Sequence, residues 1–188
     1  MDQNKQIVQH SKAEKPGQGE CADDALRSPE EKECRKAAEK AMNLLLQQDR
    51  TKKELQDRLY RAGFSEKASL YAMEYVISFG YIDDLRYAAN YISFHKGNRS
   101  RKELRYKLLN KGVEPDVLAI ALEGFDTADE QEAIRHLIRK RLRGKLLTEL
   151  DYTEKNKVIS YLARKGFPLP AIHRIMRELE STEGDGLY

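Results

Sequence analysis

One pattern occurs twice in this chain, as TKKELQDRLYRAGF at 51–64 and SRKELRYKLLNKGV at 100–113. A hydroxyl residue opens each copy, Thr51 or Ser100, and a glutamate follows three residues later, Glu54 or Glu103. Leucines four apart come next, Leu55 and Leu59 or Leu104 and Leu108, and a glycine closes, Gly63 or Gly112. A looser third copy, TEKNKVISYLARKGF at 153–167, keeps Val158, Leu162 and Gly166 but places Thr153 one residue early. The three glycines are 49 and 54 residues apart.

Each feature has a physical role. A hydroxyl at a helix N-cap accepts a bond from an otherwise orphan N–H, and a glutamate three residues on completes a capping box. Leucines at that spacing form one buried stripe. The glycine reaches the left-handed conformation that ends a helix, and Phe64, Val113 or Phe167 packs back beneath it. Ser65, Glu114-Pro115 and Pro168 then open another helix. Upstream, Ala37, Ala41, Leu44 and Leu45, then Leu85, Ala88, Ala89 and Ile92, then Ile134, Leu137, Ile138 and Leu142 follow helical spacing, and no alternating strand pattern is present.

The expectation is an all-α protein of three tandem three-helix repeats at 33–82, 83–125 and 127–180. Units this small stack on their neighbours, so the array is expected to be elongated and curved, with a concave face. Residues 1–32 read as a disordered polar tail, with Pro16, Gly17 and Gly19 and no apolar periodicity, and 181–188 as a flexible C-terminus.

GYIDD, at 80–84, falls between the first and second units. Two adjacent carboxylates invite a catalytic or metal-binding reading, but no converging ligands stand nearby. The helical reading has Gly80 ending one helix, Tyr81 and Ile82 packing at the junction, and Asp83 capping the next. Asp84 then lies in the first turn, favoured by the helix dipole. These residues are expected to set the angle between two repeats.

Charge is segregated. Arg135, Arg139, Lys140, Arg141, Arg143 and Lys145 occur without an acid between 135 and 145. Lys96, Arg99, Arg101, Lys102, Arg105, Lys107 and Lys111 occur with only Glu103 between 95 and 111. Seven acids and no Lys or Arg fill 114–132. Basic blocks suit phosphates, and the bland alternative for each is a solvated helix face. Arg99, Arg101 and Lys102 stand at a helix N-terminus, where positive charge opposes the dipole, and Arg50, Lys52 and Lys53 repeat that choice. Tyr87, Tyr91 and Tyr106 are helically spaced and read as core or rim packing before base stacking. The amphipathic stretch 134–145 lacks aromatic anchors, which argues against a membrane surface.

Catalytic signatures are missing. His10, His95, His136 and His173 are scattered, no glycine-rich phosphate loop follows a strand, and no nucleophile elbow is present. No cofactor, metal or enzymatic activity is expected. No run is long and apolar enough to span a bilayer, no secretory signal opens the chain, and Cys21 and Cys34 have no metal spacing, so a reducing cytoplasmic setting is expected.

DRTKKELQDRLYRAGF, the following GYIDDLRYAANYI and the second SRKELRYKLLNKGV, in this order and spacing, resemble the RecX family over about residues 35–180. The resemblance implies a regulator that binds the RecA recombinase and lies in the groove of the RecA–single-stranded DNA filament; the chain itself is expected to be a monomer. It implies inhibition of filament extension, ATP hydrolysis, strand exchange and repressor cleavage, and hence a role in DNA repair and the SOS response. Contacts to the filament or its DNA, with free DNA as a further partner, are expected from Arg99, Arg101, Lys102, Arg105, Arg135, Arg139, Lys140, Arg143 and Lys145. The acids of 114–132 are expected to face basic surface on RecA. The alternative is a stand-alone nucleic-acid-binding helical repeat protein.

Overall fold

The computed structural model describes residues 28–185. Among them are nine α-helices and no strand: α1 Pro29–Gln47, α2 Lys52–Arg61, α3 Glu66–Ser78, α4 Asp84–His95, α5 Arg101–Asn110, α6 Pro115–Glu123, α7 Thr127–Leu142, α8 Tyr152–Arg164 and α9 Leu169–Asp185. A 3-10 turn, Leu147–Glu149, lies between α7 and α8. The fold is an all-α helical repeat array, three helices to a unit.

The first helix begins earlier than the expected boundary at residue 33. Ser28 caps it, accepting from Glu31 N at 3.2 Å while Glu31 accepts from Ser28 N at 2.8 Å, and Pro29 occupies the first helical position. Residues 29–32 are therefore helical; the rest of the expected tail, with His10 and Cys21, lies outside the described residues. At the other end α9 continues past 180 to Asp185.

Each unit has its own apolar core. In the first, Ala37, Ala41 and Ala72 are fully buried, and such small side chains let α1 lie close along α3, with Leu55, Leu59 and Val76 filling the remainder. Ile92, Leu104, Leu108, Leu118 and Phe125 form the second core. Ile134, Ile138, Leu147, Leu162, Ile172 and Ile175 form the third. On α4 the buried positions are Ala88 and Ile92, with Tyr87 and Tyr91 half-buried, whereas Leu85 and Ala89 of the expected stripe are exposed.

The middle helices α2, α5 and α8 end alike. Gly63, Gly112 and Gly166 sit at φ +86°, +84° and +89°. The next residue's N–H reaches back five positions, Phe64 to Leu59 O, Val113 to Leu108 O and Phe167 to Leu162 O. They begin less uniformly. Thr51 and Glu54 form a complete capping box. Ser100 accepts from Glu103 N at 3.1 Å, but the carboxylate of Glu103 bonds Arg99 Nη1 at 2.6 Å and so does not return to the cap. In the third unit the cap is Asp151, boxed with Glu154, and not Thr153; α8 is accordingly 13 residues long where α2 and α5 are 10.

Because the cores are separate, what joins the units is largely polar, and the two joints are built to one plan. Thr51, fully buried at the start of α2, donates its hydroxyl to Lys111 O at the end of α5, at 2.5 Å. Ser100, fully buried at the start of α5, donates to Lys165 O at the end of α8, at 2.6 Å. Lys52 N donates to Asp84 Oδ1 at 2.9 Å, and Arg101 N to Glu130 Oε1 at 3.2 Å. In both cases an acid from the first turn of the next unit's leading helix takes an orphan N–H of the preceding middle helix. Lys111 pairs with Glu54 at 2.8 Å and Lys165 with Glu103 at 3.8 Å. The positive end of one helix thus meets the negative end of another.

The glycines take part in this contact. A Cβ on Gly112 would come within 2.4 Å of the Lys53 side chain, and one on Gly166 within 2.9 Å of Ser100 Oγ. Gly63, in the first described unit, faces open space.

GYIDD is revised in two places. Gly80, at φ +67°, ends α3, and Asp83 caps α4 through Leu85 N at 2.9 Å and Arg86 N at 3.1 Å. Ile82 is buried, but Tyr81 is 48% exposed and lies against Phe79 instead of in the junction. Asp84 is buried, and its carboxylate serves α2 across the joint, not its own helix. Burial pushes its carboxyl above the usual range, opposed by the bond from Lys52 N. A raised folded pKa means the native state holds this proton more tightly. Its stabilising contribution is therefore present at acid pH and lost as pH rises from the unfolded value, about 3.9, through the folded one. Asp84→Asn keeps an acceptor for Lys52 N without the buried charge. Its melting temperature relative to the parent should rise with pH across that window and then level off. Asp84→Ala strands the N–H and should cost about 1–3 kcal/mol at acid pH and less once pH has risen through that window; parallel pH dependences for parent and Asn variant would refute this account.

Candidate nucleic-acid interface

The basic run after residue 134 lies on α7 and the reversal that follows it. Ile134, Leu137, Ile138 and Leu142 point into the third core, which leaves the cationic side chains on the outer side. Arg139, Lys140 and Arg141 occupy the last turn, where positive charge complements the helix dipole. The chain then turns sharply. Arg143 is the one non-glycine residue at positive φ among those described, at +51°, and Gly144 follows at +93°. Leu147, fully buried, anchors the 3-10 turn to the core, and Asp151 starts α8 back alongside α7.

This reversal frames an open cleft of about 590 Å³. Lys140, Arg141, Arg143, Lys145 and Lys157 line it, against the single carboxylate of Glu154, which is engaged at Asp151 N at 3.3 Å. Its floor includes Leu137, Val158 and the half-buried ring of Tyr161. The guanidinium of Arg141 lies over that ring, 4.7 Å from its centroid.

Of the nine cations expected to bind, the structure brings Lys140, Arg143 and Lys145 together here. The others lie elsewhere. Arg135 is paired with Glu178 at 2.9 Å and Glu132 at 3.6 Å. Arg99 is held by Glu103, and Arg101 donates to Phe125 O at 2.6 Å. The stem of Lys102 packs where Gly166 has no side chain, with 3.2 Å between Lys102 Cβ and an ideal Cβ there. Arg105 and Arg139 are exposed on their helices. The basic start of α5 is thus used largely inside the molecule, which offsets the dipole cost noted above.

Arg141, Lys157 and Tyr161 were not singled out as site residues. Arg141 stood within the basic run, and Lys157 and Tyr161 are four apart on one helix, but only the α7–α8 reversal places them opposite one another. The acidic stretch is also partly internal. Asp129 pairs with Lys96 at 2.7 Å, Asp126 and Asp129 box the start of α7, and Glu130 serves the second joint. Glu114, Asp116 and Glu123 remain exposed.

Among the described residues no group of His, Cys, Asp or Glu is arranged to hold a metal ion, and no helix is long and apolar enough to cross a membrane.

The chain is similar to known proteins along most of its length. Family models described as the first and third three-helix domains of RecX match residues 37–75 and 128–176. A regulatory protein RecX of Mycobacterium ulcerans is 32% identical over 67% of this chain and 74% of the relative. One from Clostridium botulinum is 30% identical over 80% of this chain and 70% of the relative. For one from Amycolatopsis mediterranei the figures are 32%, 80% and 86%. The crystal structure of RecX from Lactobacillus salivarius shares the fold, with TM-score 0.65 at 23% identity, covering 80% of this chain and 98% of that one. The order of the matched domains and these relatives agree: the chain belongs to the RecX family of regulatory proteins.

Proposed function

We propose that this protein binds the RecA recombinase and the RecA–single-stranded DNA filament and restrains recombinase activity, modulating DNA repair and the SOS response from the cytoplasm. It acts by occupying a surface and not by chemistry. The observation that carries the reading is membership of a family of regulators over most of the chain, with the units in the family's order. Two features support it. Polar joints of one plan hold successive units in a fixed relation, as a binder of a long periodic partner requires. An open cationic cleft suits the phosphates of the filament.

Co-sedimentation with RecA filaments formed on single-stranded DNA tests the reading. The chain is expected in the filament pellet and strand exchange is expected to fall. A chain that stays in the supernatant, with strand exchange unaltered, would refute it. The second reading, a nucleic-acid-binding protein that needs no RecA, is favoured only by the cleft.

A further inference from the structure

We infer that the cleft between α7 and α8 is a seat for single-stranded nucleic acid, with the sugar–phosphate chain along Lys140, Arg143, Lys145 and Lys157 and a base laid on the guanidinium of Arg141. The inference rests on the regulatory reading for its setting but stands on three observations of its own. First, five cations converge on one concavity whose single carboxylate is already bonded to backbone. Mutual repulsion makes this costly for a face with no anion to receive. Second, Arg143 holds a left-handed conformation that glycine would adopt without strain. A charged side chain kept there, at the rim of the cleft, is strain located at a site. Third, the guanidinium of Arg141 lies over the Tyr161 ring, 4.7 Å from its centroid, and a guanidinium backed by an aromatic ring is a platform on which a base can stack.

The shape selects among anions. The cleft is an open trough, which suits a polymer passing through it; a free nucleotide would be left largely uncovered. An acidic peptide could satisfy the charges but has nothing that requires the Arg141–Tyr161 pair. Duplex nucleic acid presents its bases edge-on within the grooves and could not use the stack either.

The test is fluorescence anisotropy of a labelled oligothymidylate of about 20 nucleotides, titrated with the full chain between about 50 and about 200 mM salt. The parent is expected to bind, with affinity falling steeply as salt rises. Lys145→Ala and Arg143→Gly should each lower the log–log salt slope by about 0.7. Arg143→Gly should also melt no lower than the parent, since glycine relieves the backbone while the phosphate contact is lost. Arg141→Lys keeps the charge, so it should leave the slope unchanged and weaken binding about five- to tenfold through the lost stack.

Absence of oligothymidylate binding at the lowest salt overturns the inference, as do variants that bind like the parent. So does a labelled oligoglutamate that binds as tightly as the oligothymidylate, which would make the cleft an acidic-peptide site. RecA-driven strand exchange run beside it separates the two readings. Inhibition retained by all three cleft variants, in a chain that does not bind oligothymidylate, overturns the cleft and leaves RecA regulation standing. Oligothymidylate binding without any effect on RecA supports the cleft and overturns the regulatory reading.

Discussion

Gly166→Ala is expected to destabilise the protein by about 3 kcal/mol, against about 1–2 kcal/mol for Gly63→Ala. Both glycines end a middle helix at nearly the same positive φ, +89° and +86°, so alanine meets the same backbone strain at each. They differ in what stands opposite. An added Cβ meets nothing within 4 Å at Gly63, but at Gly166 it lies 2.9 Å from Ser100 Oγ, the donor of the second joint. The methyl group therefore displaces the hydrogen bond to Lys165 O as well as straining the turn. Chemical denaturation of the two variants measures the difference directly. Equal losses would mean that the helix ends merely lie near one another and do not hold the units together.

Ser100→Ala is the second large effect, about 2–3 kcal/mol, and Thr51→Val should match it at the first joint. Each hydroxyl accepts a bond from its own helix, a cap contribution of about 1 kcal/mol, and donates to the carbonyl that ends the next unit's helix. Removing it leaves that buried carbonyl unpaired, which adds about 1–3 kcal/mol. Ser65 is the internal control. It caps α3 through Ala68 N at 3.3 Å but is exposed and faces Glu33 of its own unit, so Ser65→Ala should cost only about 1 kcal/mol. Combining Ser100→Ala with Gly166→Ala should cost less than the two separately, because both break one bond. Strict additivity would show that the residues act independently.

These residues also mark how far the amino-acid sequence can be read. Thr51, Ser100 and the closing glycines announce helix starts and stops because caps and left-handed turns are local matters, settled within five residues. The second role of the same hydroxyls is not local: their acceptors are 60 and 65 positions away. Asp84 is similar. A carboxylate in a first turn normally serves its own helix dipole, and only the stacking of units turns it toward Lys52 N. In the third unit the cap lies at Asp151 because α8 has an extra turn, and a pattern aligned on Thr153 overlooks it. Charge runs show least of all. Arg99, Arg101 and Arg135 look equivalent to Lys140 and Arg143 by composition, yet Glu103, Phe125 O and Glu178 hold the first three and the cleft gathers the others. Which cations face outward is decided by where the acids of other helices fall.

Steady-state ATP hydrolysis by RecA on single-stranded DNA, with this protein added below the RecA concentration, tests the central claim most directly. The account predicts a progressive loss of hydrolysis at substoichiometric protein, weakened when Ser100→Ala or Gly166→Ala loosens the second joint. A rate that stays at the RecA-alone value as the protein is raised to equimolar would contradict it.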